Sequence, residues 1–278
     1  MIRPKECITV GHRGTHSVCV CAIHQNVKLM ITALPITTTY YDLMKFLVCS
    51  LDNKICMLHR CEQCPRTEAL QKYLESVFDD NDLSANDHLQ YKQWVCTDHT
   101  TLQTLSYTLN EFIDNLVTEV DKLTSHHFIA KHQSQHLSTL KQNLQFNEAI
   151  MILDFAENYS FVVQDAAQGF HWDNSQATLH PFVAYYMSNE GTLTHHSMCV
   201  ISDDLKHSTI AVHRFLEVVL QHLKILHPRM TNIHYFSDGA ASQYKNYKNL
   251  CNLVHHREDF GLDAQWHFFA TSHGKKCL

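Results

Sequence analysis

The sequence predicts an α/β fold: a mixed sheet with flanking helices over residues 148–278, preceded by a small cysteine-rich unit at 1–66 and a mainly helical linker region at 67–147. Three observations predict it. Beyond residue 148, short β-prone runs alternate with runs of helical period. Seven of the eleven cysteines fall within the first 66 residues. The two strongest strand signals, Ala149-Ile150-Met151-Ile152-Leu153 and Ile233-His234-Tyr235-Phe236-Ser237, each run directly into an aspartate, Asp154 and Asp238. A near-continuous apolar run reads as a buried strand, and an acid at its end emerges where the sheet meets solvent.

Composition narrows the function classes. A chain of 278 residues supports one large domain, or a medium domain with a smaller appendage. The formal charge is −6, so any nucleic-acid contact must come from local patches, softened by the partial protonation of 23 histidines. No apolar run approaches a membrane span, and the start, Met1-Ile2-Arg3-Pro4-Lys5-Glu6, lacks the apolar stretch of a secretory signal. The expectation is an intracellular, non-secreted protein with no membrane partner. Seven scattered glycines form no Walker or dinucleotide loop, and there is no G-x-S-x-G elbow. No small-molecule cofactor is therefore expected.

The N-terminal cysteines have metal-ligand spacing. Cys19-x-Cys21-x2-His24 and Cys56-x4-Cys61-x2-Cys64 each contain a knuckle in which two side chains separated by two residues can face one ion. The knuckles Cys21/His24 and Cys61/Cys64 are expected to close one Zn²⁺ site, with Cys19, Cys49, Cys56 and His59 completing a second or acting as substitutes. The plainer alternative is free thiols behaving as small core hydrophobes.

From residue 67 the pattern turns helical. Leu70, Tyr73, Leu74, Val77 and Phe78 mark the apolar face of a helix over 68–78. An acidic linker follows at 79–87, then a strand at 89–97. Leu105, Leu109, Phe112, Ile113, Leu116, Val120 and Leu123 predict a helix over 104–123, and a second helical run covers 128–144. His126, His127, His132 and His136 on this stretch read as a solvated helix face in preference to a metal or phosphate site.

The last region reads as strands at 150–154 with a continuation at 160–163, at 179–187 and at 193–201, a helix over 209–227, a strand at 233–237, a helix over 245–256 and a strand at 264–270. Pro228 stops the long helix. Three consecutive strands, a helix, a strand, a helix and a strand match the ribonuclease H-like arrangement, in which the first and fourth strands lie side by side. Asp154 and Asp238 then meet at the sheet end. Paired carboxylates suit Mg²⁺ or Mn²⁺, which makes them candidate catalytic ligands for phosphoryl transfer. The bland alternative is two strand-end aspartates. After Asp238, Gln243, Tyr244, Lys245 and Asn246 combine amides, a cation and an aromatic at a helix entrance, where they could position a phosphate backbone or simply cap the helix. His267 and His273 are further candidates near the metal.

Four runs carry a resemblance: Asp154-Phe155-Ala156-Glu157-Asn158-Tyr159-Ser160, Gln176-Ala177-Thr178-Leu179-His180-Pro181-Phe182, the stretch from Tyr235 to Asn246, and Trp266-His267-Phe268-Phe269-Ala270-Thr271-Ser272-His273-Gly274-Lys275. With the Cys19–Met30 and Cys56–Pro65 segments, they resemble a multicopy, transposon-derived family of insects, cnidarians and fish, with related copies among braconid wasps and their polydnaviruses. The resemblance implies a transposase-like ribonuclease H core with an acidic metal site. It also implies ancestral metal-dependent cleavage and joining of DNA, DNA as the partner, and a nuclear location. An oligomeric state is left open. In relatives the segment after Lys275 continues into a longer helix where a third acid could sit. The expectation is accordingly a truncated copy, with a catalytically inactive DNA- or protein-binding module as the alternative.

Overall fold

The computed structural model describes the backbone of residues 8–10, 18–161 and 175–270, and side chains within these from Cys21 onward. It is a mixed α/β protein that divides into two compact units between His132 and Gln133. The stretches read as 1–66 and 67–147 thus do not stand apart: Cys56 and Cys64 share one core with Leu70, Phe78, Phe112 and Leu116.

In the N-terminal unit, β1 (Ile8–Val10) pairs antiparallel with β2 (Val18–Val20). Helices α1 (Ala22–Ile31), α2 (Tyr40–Leu47), α3 (Lys54–Met57) and α4 (Arg66–Asp79) follow. Thr39 caps α2, its hydroxyl accepting from the Asp42 amide, which satisfies one of the donors a helix start leaves unpaired. The hairpin of β3 (His88–Cys96) and β4 (Thr100–Thr108) then leads into α5 (Leu109–Gln142).

This last part corrects two expectations. The helix begins five residues later than 104, because residues 100–108 form a strand paired along its whole length with β3. Gln103, Leu105 and Tyr107 are half-buried in alternation, a period of two; Leu105 had also fitted a helical series by its four-residue step to Leu109. The two helical runs beyond are one helix, since no glycine or proline interrupts residues 109–142.

The C-terminal unit is built on a sheet. Its strands are β5 (Glu148–Leu153), β6 (Tyr159–Ser160), β7 (Gln176–Met187), β8 (Leu193–Ser202), β9 (Asn232–Ser237) and β10 (Asp263–Phe268). Helix α6 (Thr209–Leu226) precedes β9, and α7 (Tyr247–Val254) and α8 (His256–Phe260) precede β10. The main order is β8-β7-β5-β9-β10, with β6 pairing the start of β7. Strands β5, β7 and β8 meander antiparallel, while β9 and β10 join parallel to β5 and to each other. The β7–β8 turn uses Gly191 at φ +76°, a left-handed conformation that glycine adopts without a steric penalty.

Strand alternation explains why β5 is apolar from Ala149 to Leu153. Ala149, Met151 and Leu153 pack in one cluster with Val212, Phe215 and Leu216 of α6. Ile150 and Ile152 pack on the other face with Leu137 at the end of α5, Leu144, Phe236 and Phe269. A strand covered on both faces has no polar side left, so its first exit toward solvent is at its end. Asp154 occupies that end. Among the described residues no helix is long and apolar enough to cross a membrane.

Candidate metal centres

Four thiols converge in the N-terminal unit. Cys49 follows α2, Cys56 lies on α3, and Cys61 and Cys64 sit in the turn before α4. Their sulfurs lie within 4.8 Å of one another. The backbone is bent to bring them in: His59 and Arg66, at φ 58° and 61°, flank the Cys61–Cys64 turn. Non-glycine residues in this region cost roughly 1–3 kcal/mol each and persist where surroundings over-determine them. The Arg66 guanidinium contributes by donating to the carbonyls of His59, at 2.7 Å, and Cys61, at 3.2 Å. The Cys49 amide donates to Cys64 Sγ at 3.4 Å.

The electrostatics of the group is that of thiols competing to ionise. The Gln63 amide, then the neighbouring thiols, hold Cys61 below the usual thiol value. The hydrogen bond to Cys64 pushes Cys49 up to about 11, and burial raises Cys56. Cys61 ionises more readily while Cys49 and Cys56 resist, which is the situation a divalent cation relieves. Four sulfur ligands at C-x6-C-x4-C-x2-C spacing are compatible with a structural zinc ion.

The expected pairing of knuckles is corrected here. Cys21 and His24 do not join Cys61 and Cys64; they form a separate group with His126 of α5. Cys21 is the N-cap of α1 and His24 lies in its first turn, so both project from one helix end toward the middle of α5. Cys21 Sγ lies 3.3 Å from His126 Nε2, and His24 Nε2 lies 3.1 Å from His127 Nδ1. Sequence reasoning placed His126 and His127 on a solvated face. The available signal was their position between Leu123 and Phe128, both of which are buried. Cys49, expected to complete a second site or to act as a substitute, is a full member of the thiol group. His59 is not: its ring nitrogens face Asp121, with Nε2 3.3 Å from the carbonyl and Nδ1 3.6 Å from the carboxylate. Cys19 lies on β2 opposite Thr9, and its side chain is outside the described residues.

In the C-terminal unit Asp154 and Asp238 each lie just past the end of a central strand. Strands β5 and β9 are parallel neighbours, paired up to Ile152 opposite Phe236, and each aspartate stands two residues beyond that pair. Parallel strands end on the same side, so the two residues follow the same end of the sheet. Asp154 is buried and Asp238 half-buried, the latter accepting from the Ala240 amide at 3.0 Å. The Tyr244 phenol lies within their field: burial first, then the charges of Asp154 and Asp238, pushes its pKa well above the ordinary value. Its hydroxyl is 2.9 Å from His180 Nε2. Burial, reinforced by His207, pushes His180 down to about 3, so the imidazole is neutral.

The remaining candidates separate. Lys245 is exposed; its stem passes 3.8 Å from where a Gly239 Cβ would lie, and its ammonium stands 5.6 Å from the Phe268 ring. Gln243 is half-buried in the same turn, where its carbonyl accepts from Thr209 at 2.9 Å. Asn246 caps α7: Oδ1 accepts from the Asn249 amide at 3.0 Å, and Nδ2 donates to Thr209 at 2.7 Å and to the Ala241 carbonyl at 2.8 Å. His267 stacks on Phe236 and lies beside His136, and burial pushes it down to about 4. His273 lies outside the described residues. Among those described, neither close group of three or more potential ligands includes an acid, and Glu157 and Asp203 are exposed.

Comparison with known proteins follows this division of the chain. Residues 22–124 match the model described as Domain of unknown function (DUF8700), and residues 133–278 match Domain of unknown function (DUF8701). No curated protein and no solved structure gives a match. The second model begins where the two compact units divide and spans more than half of the chain. The chain therefore belongs to the DUF8701 family.

Proposed function

We propose that this is a transposon-derived DNA-processing protein whose C-terminal unit has a ribonuclease H-like fold and whose ancestral reaction is metal-dependent cleavage and strand transfer of DNA phosphodiesters. The observation that carries this reading is the position of Asp154 and Asp238 just past the same end of the two central parallel strands. A meander of three strands followed by two parallel strands supports the fold assignment. Two carboxylates fit one Mg²⁺ or Mn²⁺ ion, which commonly keeps waters and is completed by substrate phosphates. Such an ion would neutralise charge on the scissile phosphate. Asp154 and Asp238 hold it in this reading, and the exposed ammonium of Lys245 faces the neighbouring backbone phosphate, with Gln243 beside it.

A groove next to this turn supports DNA as the partner. It is lined by Thr209, Ile210, His213, Arg214, Tyr247 and Lys248, and the Tyr247 ring is 81% exposed. Cations with an exposed aromatic ring suit a nucleic-acid strand, and they supply the local attraction that a net charge of −6 does not. A nuclear location accords with this partner. The thiol cluster acts as a structural zinc knot for the N-terminal unit.

A second reading, a binding module of the same fold without catalysis, is favoured by one observation: no third acid joins the pair among the described residues. Nicking of supercoiled DNA in Mn²⁺ separates the two. Cutting by the native chain that disappears in Asp154→Asn supports the enzyme. Binding without cutting in both proteins supports the module, and cutting that survives Asp154→Asn removes the carboxylate pair from the chemistry.

A further inference from the structure

We infer that Cys21, His24 and His126 form a second transition-metal site in the N-terminal unit, distinct from the tetrathiolate cluster and of mixed thiolate–imidazole chemistry. Their ligand atoms lie within 4.8 Å of one another, and Cys21 and His24 are each only 1% exposed. A thiolate with two imidazoles is a donor set for Zn²⁺ and not for Mg²⁺ or Ca²⁺, which take oxygen. The thiol sits at the N-cap of a ten-residue helix.

The surroundings are arranged as around a metal-bound histidine. A ligating imidazole donates its other ring N–H to an acceptor, which fixes the ring and raises its basicity. His24 Nε2 has such an acceptor in His127 Nδ1 at 3.1 Å, and His127 Nε2 is in turn 3.1 Å from the Tyr41 hydroxyl. This chain from ligand to tyrosine orients His24 with Nδ1 as the coordinating nitrogen. His127, buried and edge-on to both His24 and Tyr41, is a positioning residue that does not itself bind the ion. The site joins residues 105 apart in sequence, so the ion ties the start of α1 to the middle of α5. That linkage is what a small unit with short helices gains from a metal.

Zinc content of the full chain tests the inference, measured by elemental analysis after gel filtration. The expected result is one equivalent more than the tetrathiolate cluster alone would hold. His126→Ala loses one equivalent, and Cys61→Ser with Cys64→Ser loses the other. Cobalt substitution adds a readout: His126→Ala leaves only the spectrum of an all-thiolate site. A native chain with a single equivalent that vanishes in the Cys61/Cys64 variant overturns the second site and leaves the tetrathiolate reading standing. A native chain with no zinc overturns both, and His126→Ala with native zinc content overturns the ligand set. The native stoichiometry decides the matter even if a variant fails to fold.

Discussion

The two units hold their buried polar groups in opposite ways. In the N-terminal unit, sulfur and imidazole groups converge from α1, the segment after α2, α3, the turn before α4, and α5, and the backbone turns left-handed at His59 and Arg66 to admit them. In the C-terminal unit, two buried pairs bond directly, His180 with Tyr244 and Tyr235 with His256 at 2.8 Å. A hydrogen-bonded pair inside a sheet core needs nothing from outside the chain. Convergent thiols and imidazoles are compatible with a bound cation that holds them together. The N-terminal unit should therefore depend on metal, and the C-terminal unit on pH.

Metal removal gives the largest expected effect. Structural zinc contributes on the order of 10–16 kcal/mol of apparent binding energy, against a whole-domain stability of about 5–15 kcal/mol. A strong chelator should open α1 to α4 while β5, β7 and β9 stay closed. Hydrogen exchange followed along the full chain reads this directly. Protection lost from both units together would break the comparison, and protection kept in both would remove zinc from the fold.

Acid should act on the other unit. A histidine in the unfolded chain protonates near 6.5, whereas His180 in the fold is held down to about 3. Its contribution is fully present above pH 6.5 and is lost as the pH falls toward 3, because the unfolded chain takes up the proton first. The loss is on the order of 4 kcal/mol across that window. His267, held down to about 4, adds in the same direction. His180→Gln keeps a polar partner for Tyr244 and removes the titration. Denaturant unfolding of the sheet, measured between pH 7 and 4, should show a flatter pH slope in the variant; an unchanged slope would place the acid sensitivity elsewhere.

The same contrast explains what the sequence made legible. The central strands β5 and β9 could be read closely because burial on both faces writes itself into consecutive residues, as in Ile150-Met151-Ile152. Asp154 and Asp238 were readable for the same reason, each being the first residue past such a run. Of the Cys21–His24–His126 group only the Cys21-x2-His24 knuckle was, since a member 105 residues away leaves no local pattern. His126 and His127 followed the helical rhythm of α5 and looked like surface. Residues 100–108 failed differently: Leu105 satisfied two periodicities at once, and only pairing with β3 decided between them.

Within the acidic rim, Asn246 and Lys245 sharpen the comparison further, because the sequence offered both as phosphate contacts. Asn246→Ala removes an N-cap and two donated bonds, at a cost of roughly 1–2 kcal/mol in unfolding free energy. Its amide is committed to the fold, so DNA affinity measured well below the melting temperature should hardly change. A large loss of affinity at full folding would return Asn246 to the interface.

Lys245→Ala carries the smallest expected effect and the most specific one. Its side chain is exposed and its nearest ring is Phe268 at 5.6 Å, so stability should shift by less than about 0.5 kcal/mol. If its ammonium meets a phosphate, the logarithm of DNA affinity against the logarithm of salt should lose roughly one unit of slope, uniformly across sequences. Fluorescence anisotropy over a salt series measures it. An unchanged slope would mean that the cations of the α6–α7 groove, Arg214 and Lys248, carry the contact while Lys245 serves only the local field of Asp154 and Asp238. That outcome would separate the binding surface from the acidic rim. A loss of slope would join them, as a cleavage site requires.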